Sequence, residues 1–202
     1  MFKNYLGLLL TLIGVLTVSA QKRNFQEGYI ITKDKDTVYG WVKDRSPEPF
    51  VSLYNKIRFK EQGRGRTQKL GPDAILGYGY NNQHFIAMPF REESHFFTFR
   101  YYSDAAAPTV FLKVVERTPE LLYLEQEYVH HDNSYVDFIP FFYRPGQKDL
   151  VRVTQGIFGF RKKRLTQYFQ DCTAVLDLLN TKNSASTTVW ELYDFCVAHC
   201  DL

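Results

Sequence analysis

The chain has 202 residues, with 25 Lys and Arg against 22 Asp and Glu and a formal net charge of +3. Such a near balance argues against a dedicated nucleic-acid binder, whose basic excess would be larger. Aromatic residues make up 16% of the sequence and fall mostly in alternating runs, the pattern that packed β-strands favour.

Residues 1–20 read as a secretory signal peptide. A short basic start is followed by the apolar run Leu6–Val18 and by Val18-Ser19-Ala20, with small residues at the positions signal peptidase requires. Cleavage after Ala20 would start the mature chain at Gln21. The expected location is therefore the periplasm or the extracellular medium. No later run reaches the roughly 18 apolar residues of a membrane helix, so the mature chain is expected to have no transmembrane segment.

Residues 24–155 read as an antiparallel β-domain. Gly28–Lys33 and Thr37–Lys43 flank Asp34-Lys35-Asp36 as a hairpin with a charged turn. Val51–Lys60 is the next strand, and Thr67–Leu70 resumes the sheet after the basic turn Glu61–Arg66. Ala74–Tyr80 and Gln83–Met88 form a second hairpin across Asn81-Asn82. Pro89–Ser94 is read as a connection, and His95–Tyr102 as one aromatic strand. Val110–Arg117, Leu121–Tyr128, Tyr135–Tyr143 and Asp149–Thr154 follow. About ten short strands at this spacing, none separated by a helical crossover, predict a mainly β (α+β) fold: an antiparallel sandwich, roll or barrel.

Residues 156–202 read as a C-terminal helical segment packed on the β-domain. Leu165, Tyr168, Phe169, Cys172, Val175, Leu176 and Leu179 recur at three and four, as do Val189, Leu192, Tyr193, Cys196 and Cys200. Polar Asn180–Thr188 lies between, which predicts a helical pair folding back on itself. Three cysteines in an exported chain point to one disulfide and one spare thiol. Cys172 is expected to pair with Cys200 or Cys196; the latter two are one helical turn apart and would not bond each other.

The chain resembles a broad group of uncharacterised exported proteins common in the Bacteroidetes. Gly28, Ile30, Thr32, Asp36, Thr37, Gly40 and Val42 match the group's opening hairpin. Pro72, Asp73, Ile75, Gly77 and Tyr78 match a later step, and Phe111, Leu112, Val115, Leu122 and Tyr123 a strand pair. Leu165, Tyr168, Phe169, Asp171, Cys172 and Cys200 match the end. The resemblance implies an envelope location and a shared fold, and no activity. It favours Cys200 as the partner of Cys172, because the resembling proteins close on a cysteine there. Thr173 stands where the group often has proline, which leaves Leu165–Leu179 open as one helix or as two with Asp171 capping the second.

Arg161-Lys162-Lys163-Arg164, beside Phe158, Phe160, Tyr168 and Phe169, is a candidate site for anionic glycan or lipid headgroups. Arg58, Lys60, Arg64, Arg66 and Lys69 form a second basic cluster that would strengthen the first if both shared a face. His130-His131-Asp132, with Glu125, Glu127 and Asp137 nearby, is the candidate metal or hydrolase site. Cys196 and His199 share a helical face, the arrangement of an activated thiol. No dense catalytic set emerges and no cofactor is implied. The favoured function is a non-catalytic envelope binding or interaction protein whose partner is an envelope protein, glycan or lipid; the alternative is a hydrolase, metal-dependent or otherwise, using the His130 region.

Overall fold

The computed structural model describes residues 25–45, 55–96, 98–129, 136–156, 159–181 and 186–201. The signal-peptide reading therefore lies outside the described residues. Among the described residues twelve strands form one antiparallel sheet: β1 (Gln26–Ile31), β2 (Thr37–Lys43), β3 (Ile57–Glu61), β4 (Thr67–Leu70), β5 (Gly77–Tyr80), β6 (Gln83–Pro89), β7 (Arg91–His95), β8 (Thr98–Tyr102), β9 (Thr109–Arg117), β10 (Leu122–Val129), β11 (Val136–Tyr143) and β12 (Asp149–Arg152). Their order is β4-β3-β2-β1-β5-β6-β9-β10-β11-β12-β8-β7. Among the described residues three helices follow: α1 (Lys162–Tyr168), α2 (Thr173–Asn180) and α3 (Val189–His199).

Local chemistry sets most turns. Asn81 and Asn82 both take positive φ (46° and 58°), the geometry of the tight turn that matches strand twist, and asparagine tolerates it. Two expectations change. Residues 89–102 hold a hairpin rather than a connection and one strand: β7 and β8 pair with Arg91 opposite Tyr102, and the chain turns at Phe96. Leu165–Leu179, open as one helix or two, is two, since the stripe breaks after Tyr168, but the cap expected from Asp171 is not made. Cys172, not Asp171, holds the N-cap position of α2 and makes no side-chain cap. Asp171 instead accepts both terminal nitrogens of Arg144, at 2.6 and 3.0 Å.

Strand alternation divides the core into three clusters, since successive side chains point to opposite faces. On one face of the first half, Ile30, Val42, Ile57, Phe59, Tyr78, Phe85 and Phe111 are buried together. On the same face of the second half, Tyr123, Phe142 and Val151 pack beneath Leu165, Phe169, Val175, Leu179, Leu192 and Cys196 of the helical layer. Their immediate neighbours Leu124, Phe141 and Leu150 point the other way, into a cluster with Phe90, Tyr101 and Leu112. Both faces of β10, β11 and β12 are thus buried, one by helices and one by the curl of the sheet. This is why each of these strands carries an adjacent apolar pair, Tyr123-Leu124, Phe141-Phe142 and Leu150-Val151, with one member on each face. Gly79 permits a close approach on the outer face: a Cβ there would lie 2.6 Å from the Tyr29 ring.

A polar network separates the two clusters on the helix-bearing face. Buried Arg45 donates to Tyr78 Oη at 3.1 Å and pairs with Glu127. Tyr78 and Tyr80 donate to the two oxygens of Asp44 at 2.6 and 2.9 Å. Lys113 pairs with buried Glu125 at 3.2 Å, and Tyr123 donates to the same carboxylate. Charges taken from water are tolerated here because each is paired and hydrogen-bonded.

Candidate functional site: a basic groove between β8 and α1

The helical layer stops short of the last hairpin of the sheet, and a groove of about 1220 Å³ opens there. Its floor is one face of the hairpin, with Glu93 and His95 on β7 and the alternating Thr98, Arg100 and Tyr102 on β8. Its wall is Arg161, Lys162, Lys163, Arg164 and Gln167, with Phe160 and Gln155 at the base. A smaller cavity of about 410 Å³ shares Arg100, Tyr102, Arg161, Arg164 and Gln167 and extends the same surface toward Asp149 and Arg152.

The backbone explains how the basic run reaches the groove. Thr154 bridges to Phe160, and the Arg161 amide donates to the Val153 carbonyl at 2.8 Å, so the chain leaves the end of β12 and turns into α1. Within α1, Leu165 is buried against the sheet, and the residues on either side of it are directed outward. The run is therefore neither wholly solvated nor scattered; its four members line one concavity opposite Arg100.

Charge in the groove is poorly compensated. Among the described residues five arginines and lysines line the larger cavity, against one carboxylate, Glu93. That carboxylate is already paired with Arg91, which also binds Asp104 at 2.7 Å and lies over the Tyr102 ring at 5.1 Å. Burial, with the like charges of Arg152 and Arg164, holds the Arg161 guanidinium below the ordinary arginine range; Tyr101 and, less strongly, the Glu92 carboxylate act in the opposite direction. Such a cluster favours an anion that would replace lost water and relieve like-charge repulsion. Arginine forks match phosphate, sulfate and carboxylate geometry, and Gln155, Gln167 and Thr98 add neutral hydrogen-bonding groups.

The other sequence candidates fall elsewhere. Cys172 and Cys200 form a disulfide, with Cα atoms 5.3 Å apart, and Cys196 is a buried free thiol. His130, His131 and Asp132 lie outside the described residues. The acids near them are engaged: Glu125 with Lys113, Glu127 with Arg45, and Asp137 as acceptor of the Tyr128 hydroxyl at 2.7 Å. The Cys196–His199 arrangement is not that of an activated thiol. Burial pushes the Cys196 thiol up to about 12, and exposed His199 stacks on Phe195 with its Nδ1 3.0 Å from the Phe195 carbonyl oxygen. The second basic cluster sits on β3, β4 and the turn between them, at the opposite end of the strand order from β7 and β8, and contributes no residue to either cavity.

Sequence reasoning missed Arg100 as a partner of the 161–164 run, and with it His95 and Tyr102. Its signal was present: in Thr98-Phe99-Arg100-Tyr101-Tyr102, alternation sets Thr98, Arg100 and Tyr102 on one face. What the sequence did not carry is that β8 lies beside β12, 47 residues after it in the chain by their first paired residues, Tyr102 and Asp149.

No protein-family model, curated protein or solved structure matches the chain. Among the described residues no helix is long and apolar enough to cross a membrane.

Proposed function

We propose that this is an exported, non-catalytic binding protein of the cell envelope, and that the groove between β8 and α1 holds an anionic ligand. The observation that carries the reading is the convergence of Arg161, Lys162, Lys163 and Arg164 with Arg100 on one concavity whose one acid is already paired. The groove exceeds the roughly 300–1,000 Å³ of ordinary small-molecule sites, which favours an extended ligand or a surface over a single metabolite. The reading of residues 1–20 as a signal peptide and the resemblance to exported envelope proteins support the location.

The test is binding of dextran sulfate, with neutral dextran as control, at low and at physiological salt. Binding is expected for the sulfated polymer alone and should fall steeply with salt. The four-alanine variant Arg161→Ala, Lys162→Ala, Lys163→Ala, Arg164→Ala should bind roughly tenfold more weakly or worse, with its melting temperature little changed. Equal binding by parent and variant would remove the groove from the account.

A further inference from the structure

The rim of the groove carries a feature that anion binding leaves unexplained. Phe96, at the tip of the β7–β8 hairpin, is 86% exposed, the most exposed of the large apolar side chains described. It also has a positive φ of 52°, a conformation that glycine or asparagine adopts at less cost than a bulky aromatic. Turn formation therefore favours another residue here, and core packing does not use the ring. Its one described ring contact is with neighbouring His95, at 4.9 Å between centroids. Phe99, 37% exposed, lies on the same hairpin and lines the adjoining cavity.

We infer that the hairpin tip is a membrane-docking element: Phe96 enters the headgroup–acyl boundary of an anionic lipid surface while Arg100 and Arg161–Arg164 engage the lipid phosphates. The inference rests on the anion-binding reading of the groove and names its occupant. Two weak signals are combined here, as stable attachment of a peripheral protein requires: apolar insertion and a cationic patch. Phe96 lines the same concavity as Lys162 and Lys163, so tip and cations face one surface together. A soluble polyanion would use the cations and gain little from a ring at the tip. A lipid surface uses both.

The experiment uses vesicles of phosphatidylcholine alone and of phosphatidylcholine with phosphatidylglycerol, with dextran sulfate in parallel. The parent should bind the anionic vesicles and not the neutral ones. Phe96→Ser should weaken vesicle binding by roughly tenfold or more, the scale of withdrawing one phenyl ring from an apolar phase, and weaken dextran sulfate binding far less. Because Phe96 is exposed, the variant should fold as the parent does. In Phe96→Trp, lipids brominated along the acyl chain should quench the added fluorescence, with the parent's Trp41 and Trp190 as baseline. Binding of dextran sulfate without binding of anionic vesicles would overturn the membrane assignment and leave the anion site standing. Vesicle binding indifferent to Phe96→Ser, with no quenching in Phe96→Trp, would also overturn it. Loss of both ligands would defeat the two readings together.

Discussion

Breaking the disulfide should unfasten the helical end, and the size of the effect follows from its position. Cys172 sits at the start of α2, and Cys200 ends α3, 28 residues later. On the chain-entropy relation, a loop of that length corresponds to about 3.6 kcal/mol of stabilisation at room temperature. For a domain of this size, 1 kcal/mol moves the melting temperature by about 2–4 °C, so the loss should be roughly 7–14 °C. Cys172→Ser and Cys200→Ser should fall by similar amounts, and the reduced parent should fall with them. Cys196→Ala, which removes a fully buried thiol but no cross-link, should cost only about 1 kcal/mol. The assay is thermal unfolding by circular dichroism, with a non-reducing peptide map to confirm the bond. If the Cys172 and Cys200 variants melt with the parent, then Leu192, Tyr193 and Cys196 alone hold α3 on the sheet, and the reasoning fails.

Two further substitutions probe the buried charges. Arg144 is buried, lies over the Tyr168 and Phe169 rings at 5.6 and 5.1 Å, and pairs with Asp171. Arg144→Ala should destabilise by about 1–3 kcal/mol in chemical denaturation, less than a fully buried pair because Asp171 is half exposed. The hydrogen bonds from Arg144 hold the Asp171 carboxyl below its ordinary value. Its contribution is therefore present above the unfolded carboxyl pKa and is lost as pH falls through the lower, folded one; the parent should lose stability on acidification more steeply than Asp171→Asn. A parallel acid dependence in the two proteins would remove this pair from the account. Tyr78→Phe deletes the hydroxyl shared by Asp44 and Arg45 and should cost about 1–3 kcal/mol by the same denaturation assay; no loss would mean that the network is satisfied without it.

The strands were legible wherever alternation or a turn pair punctuated the chain. β1 and β2 followed from β-branched and aromatic arms around Asp34-Lys35-Asp36, and β5 and β6 from Asn81-Asn82. They depend on backbone geometry within a few residues, which local composition controls. The β7 strand was not legible, since Arg91-Glu-Glu-Ser-His95 has the composition of a loop. It is a strand because β8 supplies its hydrogen bonds, and as the edge of the sheet its side chains stay in water. The break between α1 and α2 was one of two readings the sequence left open; what it did not show is that Asp171 goes to Arg144, a residue 27 positions earlier, and not to a helix cap.

The basic run was readable as a charge pattern and Cys172–Cys200 as one of two pairings, because charge and thiol content belong to the residues themselves. Whether four cations make a solvated helix face or the wall of a groove depends on what stands opposite. That was decided by the pairing of β8 with β12, which brings Arg100 across from Arg161–Arg164. It was decided also by the alternation that sends Val151 under the helices and Leu150 into the other cluster. Local sequence determined the strands, the turns and the amphipathic stripes. Long-range pairing, which acts between residues distant in the chain and is specified by no single stretch of it, determined which of them meet.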